Sequence, residues 1–218
     1  MAIYEYYTDG AATMKKKNGE YVREDGGWAF AQVKDNNPIF SMSGHEEEAT
    51  NQAMELRAIY EALKHYHEHY YSSNIADTVK IYSDSAYSIN IYTQWAKGWE
   101  AKGWTRGKGQ KIENLEIIRK TWELLQILNS GFNSISFVKV TGHSGNYCNE
   151  YVDKLAVAAK QGKPLNREDG LIAQVTVYDS LGEVPIGQQY YLTDKGPMTI
   201  EYYGIDLEAY PKSFLIEK

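Results

Sequence analysis

The chain has 218 residues, more than the commonest domain size, so one domain with an appendage is expected. Its 43% hydrophobic and 24% charged residues suit a globular protein with a real core, and a mean hydropathy of −0.55 with short apolar runs excludes a membrane-spanning helix. A single cysteine, Cys148, excludes an internal disulfide, and a net charge of −6 argues against nucleic-acid binding by overall basicity.

The start, Met1-Ala2-Ile3-Tyr4-Glu5-Tyr6-Tyr7, has neither the basic flank nor the apolar stretch of a secretion signal, so a cytoplasmic protein is expected. Ile3 to Thr8 alternates apolar and polar residues with tyrosines, which predicts a strand. Residues 11–26 are polar, and Lys15-Lys16-Lys17-Asn18-Gly19 reads as a hairpin turn with a solvated tip. Gly27 to Val33 and Ile39 to Ser43 predict two further strands, joined through Asp35-Asn36-Asn37-Pro38, so the chain opens as an antiparallel meander. Thr50 is placed to cap a helix from Asn51 to Tyr70, with Glu55, Ile59, Ala62, Leu63 and Tyr66 on one stripe.

Val79 to Ser83 predicts a fourth strand and Ala86 to Trp95 a helix. Ile112 to Leu128 predicts another helix, Ser134 to Thr141 a fifth strand, and Asn149 to Lys160 a last helix. The order βββ-α-β-α-α-β-α predicts an α/β fold: a mixed five-stranded sheet flanked by helices, its later strands added in parallel by right-handed crossovers. From Gln161 onward Gly, Pro and Asp punctuate a linker, followed by β-leaning runs at Leu171–Tyr178, Gln188–Thr193, Met198–Tyr203 and Phe214–Ile216. Residues 1–160 therefore read as one domain and 161–218 as a small β-rich extension.

Charge is unevenly placed. Residues 94–112 hold Lys97, Lys102, Arg106, Lys108 and Lys111 against Glu100 alone, a basic island on an acidic chain. Residues 161–218 carry five Lys and Arg against nine Asp and Glu, which makes phosphate gripping by the extension unexpected. Lysines interleaved with Trp95, Trp99 and Trp104 suit phosphate contact beside sugar and ring packing. The simpler reading is an amphipathic helix with Trp95 and Trp99 on the core.

Four acids stand where their elements could bring them together. Asp9 follows the first strand, Glu55 lies early in the first long helix, Asp84 ends the fourth strand, and Asp153 lies inside the last helix. Inward-facing carboxylates repel one another and lose hydration unless a cation neutralises them. Oxygen-only ligands favour Mg2+ or Mn2+, and two such ions are a device for in-line phosphodiester hydrolysis. His65, His67 and His69 share spacing with a zinc site, but no ligand set completes it, and a wet helix end is the expected setting. Cys148 lacks a base partner and reads as incidental.

Over residues 1–160 the chain resembles type I ribonuclease H. Thr8-Asp9-Gly10 resembles the family's first-strand aspartate, Thr50-Asn51-Gln52-Ala53-Met54-Glu55 its first helix start, and Ser83-Asp84-Ser85 its third-carboxylate motif. Gly142-His143-Ser144-Gly145 followed by Asn149-Glu150-Tyr151-Val152-Asp153-Lys154-Leu155-Ala156 is similar to the family's H-x-G and N-E-x-x-D-x-L-A signature.

The resemblance implies an endonuclease that hydrolyses the RNA strand of RNA–DNA hybrids with two Mg2+ ions, for which Mn2+ substitutes. It implies that Asp9 bridges both ions, that Glu55 and Asp84 complete the leaving-group side, and that Asp153 completes the site of the attacking water. Glu55 would lie near the ribose 2′-hydroxyl, and His143 would assist proton transfer or product release. Thr50, Asn51 and Gln52 would touch the hybrid, while the stretch carrying Trp99, Lys102, Trp104 and Lys108 resembles the basic protrusion that grips the DNA strand. A DNA-cutting nuclease of the same fold, and a hybrid-binding module without catalysis, are the alternatives. A monomer without membrane association is expected, with a dimer through the extension as the alternative. The chain opens directly on its first strand, so no separate hybrid-binding domain is expected ahead of it.

Overall fold

The computed structural model describes residues 2–17, 19–142, 144–163, 171–178, 185–193 and 196–197; for Lys17, Lys108 and the residues from 171 onward this is the backbone alone. Three antiparallel strands open the chain: β1 (Ile3–Lys17), β2 (Glu20–Lys34) and β3 (Asn37–Glu46). β4 (Thr78–Ser83) and β5 (Ser134–Lys139) add in parallel, giving the order β3-β2-β1-β4-β5. This is the mixed five-stranded sheet that the element order predicts.

β2 turns into β3 through Asp35 and Asn36 alone. Their φ values of 51° and 60° make the left-handed pair of a type I′ turn, which matches the twist of a hairpin and suits Asp and Asn. At the other end β1 and β2 run much further than their apolar alternation suggests. The strands stay paired out to Lys17 and Glu20, so Lys15, Lys16 and Lys17, expected within the hairpin turn, belong to β1, and the polar stretch is a β-ribbon.

Helices cover both faces. α1 (Asn51–His69) is capped by Thr50, whose Oγ1 accepts the Ala53 N–H at 3.2 Å. Met54, Leu56, Ile59, Leu63 and Tyr66 pack from it onto Tyr6, Phe30 and Ile81, with α4 (Leu115–Asn129) closing the same core. On the opposite face Val152 and Ala156 of α5 (Tyr147–Lys160) pack on Tyr7, Ala29, Ala31 and Val33. Gly27 makes that approach possible: a Cβ there would lie 2.2 Å from the Ala156 carbonyl oxygen.

The helix expected over Ala86 to Trp95 continues to Glu100. α2 (Ala86–Asn90) passes through a π-helical turn, Ile91–Trp95, into α3 (Ala96–Glu100). The extra residue in that turn changes which side chains the helix presents to the core. Trp95, Trp99 and Trp104 are all half-buried against the core. The rings of Trp95 and Trp99 lie 5.8 Å apart, Arg106 stands over Trp99 at 5.5 Å, and Arg119 over Trp104 at 5.7 Å. Trp104 itself has φ of 62°, uncommon for a bulky residue.

His65 departs from expectation. It is buried rather than at a wet helix end, with Nδ1 3.0 Å from the Tyr6 hydroxyl and its ring stacked on Phe40 at 4.3 Å. Cys148 is buried too, its Sγ donating to the Asn36 carbonyl at 3.3 Å, and burial pushes the thiol's pKa up, which suits the inert reading. Beyond Gly162, β6 (Leu171–Tyr178), β7 (Pro185–Thr193) and β8 (Gly196–Pro197) form a second antiparallel sheet. Two of the β-leaning runs fall in β6 and β7; Met198–Tyr203 and Phe214–Ile216 lie outside the described residues. Among the described residues no helix is long and apolar enough to cross a membrane.

Candidate active site

The last parallel pair between β1 and β4 is Thr8 opposite Ser83. Asp9 and Asp84 each follow that pair by one residue, so the register alone places two carboxylates side by side at the C-terminal edge of the parallel strands. Open sheets gather ligands at this edge. Glu55 reaches the same point from the second turn of α1. Gly10 permits this, because a Cβ there would lie 2.2 Å from the Glu55 nitrogen and 2.4 Å from the Met54 carbonyl carbon. The glycine of T-D-G thus lets the helix backbone rest directly on β1.

Carboxylate oxygens of Asp9, Glu55 and Asp84 lie within 4.8 Å of one another. Asp9 is 7% and Glu55 6% exposed, so little water offsets their mutual repulsion. Asp9 accepts the Gly10 N–H at 2.7 Å, yet burial and the charges of Asp84 and Asp153 still push its pKa up to about 7. Burial, then Asp9 and Asp84, raise Glu55 well above the carboxylate range, with the Lys139 ammonium opposing. One Glu55 oxygen, Oε2, is buried without a hydrogen-bond partner among the described residues. The other is 3.5 Å from Asn51 Nδ2. Oxygen-only, crowded and with one buried oxygen left without a partner, this cluster fits a hard divalent cation.

The three acids open into a cleft of about 530 Å³, whose wall includes Asn51, Gln52, Ser85, Tyr87, Asn149 and Asp153. Asp153 stands across the cleft, outside the 4.8 Å group but close enough to raise Asp9. Asn51 Oδ1 accepts the Ala12 N–H at 3.1 Å, which ties the start of α1 to β1. Thr50 Oγ1 caps α1 beside the cleft. Gly142 packs against Asp84, a Cβ there falling 2.6 Å from Oδ2. His143 lies outside the described residues. Trp99, Lys102 and Trp104 do not line the cleft.

Lys139 is the residue that sequence reasoning missed. It ends β5, donates to the Val140 carbonyl at 2.9 Å and to the Asp84 carbonyl, and lowers the cost of charge on Glu55. Nothing in S-I-S-F-V-K-V-T marks it, since its role comes from the β4–β5 register that sets it opposite Ser83.

The ribonuclease H family model matches residues 2–161. The chain belongs to the ribonuclease H family. It is 36% identical over 151 residues to the ribonuclease H of Acetivibrio thermocellus, covering 69% of this chain and 89% of that one. Against the ribonuclease H of Moorella thermoacetica it is 36% identical over 154 residues, or 70% and 88% of the two chains. The solution structure of the PFV RNase H domain superposes with a TM-score of 0.57 at 19% identity, covering 73% of this chain and 94% of that one, and supports the fold.

Proposed function

We infer that this ribonuclease H hydrolyses the RNA strand of RNA–DNA hybrids with two divalent ions, Mg2+ or in its place Mn2+. Asp9, Glu55, Asp84 and Asp153 hold them. The observation that carries the reading is the Asp9–Glu55–Asp84 cluster at the parallel edge of a ribonuclease H fold. Asp9 feels the charge of both Asp84 and Asp153, which suits it as the ligand shared between the ions. Glu55 and Asp84 would hold one ion and Asp153 the other. Bound divalent cations acidify a water and offset charge on the phosphoryl and leaving oxygens.

The chain's own groups hold and orient. Asn51 steadies Glu55 beside the ribose 2′-hydroxyl, the group that separates RNA from DNA. Thr50 and Gln52 meet the hybrid next to it, and His143 serves proton transfer or product release. Trp99, Lys102, Trp104 and Lys108 grip the DNA-strand backbone from the protrusion. The catalytic domain ends at residue 160, and residues 161–218 are an accessory to a cytoplasmic monomer.

The test is hybrid cleavage rate against Mg2+ concentration. At limiting Mg2+ the log–log slope should approach two, and Asp153→Asn should reduce it toward one. A wild-type slope of one contradicts the second ion.

A further inference from the structure

We propose that one face of the β1–β2 ribbon beyond the main sheet is a second phosphate-gripping surface, which extends the hybrid's footprint past the cleft. The proposal rests on the cleft's reading as a hybrid site. β4 and β5 stop level with Thr8, but β1 runs on for nine residues to Lys17. The ribbon therefore stands beyond the edge where the carboxylates gather. β3 pairs with β2 only from Gly26 onward, so among the described residues no third strand backs the ribbon.

Counted along the sequence the ribbon is nearly neutral: Lys15, Lys16, Lys17 and Arg23 face Glu20, Glu24 and Asp25. The pleat sorts these charges. Side chains alternate between faces along each strand, and cross-strand partners share a face. Beyond the bulge, where Glu24 and Asp25 stand opposite Thr13, Met14 pairs with Arg23 and Lys16 with Tyr21. Met14, Lys16, Tyr21 and Arg23 thus occupy one face without an acid. Lys15 belongs to the other face, where Glu24 holds it at 2.9 Å. Among the described residues no carboxylate pairs with Lys16 or Arg23.

That cationic face is continuous with the cleft. Met14 and Lys16 follow Gly10 and Ala12 in the two-residue repeat of β1, and those residues meet Glu55 and Asn51. The base of the ribbon is anchored, since the Ala49 N–H donates to the Glu24 carbonyl at 3.0 Å and Lys160 Nζ reaches Thr13 Oγ1. Tyr21 is 70% and Met14 52% exposed, and Lys16 lies 6.0 Å from the Tyr21 ring centre. Two cations beside a flat ring suit phosphates with adjoining sugars. From the Met14–Arg23 pair to the Lys17–Glu20 pair is three residue steps, ~10 Å at ~3.3 Å each. That length matches about three nucleotide steps at ~3.4 Å.

The experiment compares wild type, Lys16→Ser/Arg23→Ser and Lys15→Ser in the full chain, on a hybrid covering the cleft alone and on one about four base pairs longer at each end. Melting temperatures check folding. On the long hybrid the double variant should raise KM and flatten the salt dependence of binding by about 1.8 log–log units, at ~0.9 per phosphate. On the short hybrid it should match wild type, and Lys15→Ser should match wild type on both. Equal salt slopes for wild type and the double variant overturn the proposal, as does an equal effect from Lys15→Ser. If wild type does not cleave hybrids at all, the functional reading fails instead, and binding to the same hybrids still tests the ribbon.

Discussion

Asp9 and Asp84 occupy equivalent positions on two adjacent parallel strands, each one residue past the Thr8–Ser83 pair. Backbone pairing therefore builds the carboxylate cluster before any side-chain choice is made. Glu55 joins it because Gly10 lets α1 settle on β1. The unbound cluster is electrostatically costly, and both main consequences of that cost are measurable.

Asp9→Asn and Asp84→Asn should each reduce cleavage by at least on the order of a thousandfold, the scale seen when a catalytic group is removed. Hybrid affinity should change little, because the residues proposed to grip phosphates are untouched. Single-turnover rates and direct binding of the same hybrid check this. A variant with near-normal turnover at saturating Mg2+ removes its residue from the site.

Stability without metal should fall as pH rises. Asp9 has a folded pKa of about 7 against an ordinary 3.8, so above pH 4 the unfolded chain releases a proton that the folded chain keeps. The loss runs from about pH 4 until the folded group ionises near 7. Melting temperatures in chelator should decline across that window, Asp9→Asn should flatten the decline, and Mg2+ at pH 8 should raise the wild-type value. An unchanged profile in Asp9→Asn contradicts the assignment.

Gly10→Ala should damage both fold and site. Its Cβ would press on the Glu55 nitrogen and push α1 from β1. Overpacking of this kind costs about 1–3 kcal/mol. Denaturant unfolding should show that loss, with weaker Mg2+ binding from a displaced Glu55. Equal stability in the variant contradicts the close approach.

Replacing Lys102 and Lys108 together by Ala should weaken binding at low salt and flatten the log–log salt dependence by up to about two units, at ~0.9 per phosphate contact. Salt-dependent binding measures it. An unchanged slope makes these lysines a solvated face.

Much of this was legible in the chain because periodicity and caps are local. The Asn51 helix, its Thr50 cap and the Asp84 strand end follow from spacing within a few residues. The β1–β2 ribbon was not legible, since among the described residues neither face meets a core and no apolar alternation marks it. The π-helical turn at Ile91–Trp95 lacks a signal of its own, and it carries the helix past its expected end at Trp95. His65 reads as a surface residue until Tyr6 and Phe40 close over it. Lys139 acquires its role only through strand register.

The most direct test of the central claim is a gel assay of RNA–DNA hybrid labelled on each strand, beside RNA–RNA and DNA–DNA duplexes, in Mg2+ and in chelator. Cleavage confined to the RNA strand of the hybrid, and only with Mg2+, is the predicted result. Cleavage of the DNA strand or of duplex DNA, or binding without cleavage in Mg2+, would contradict it.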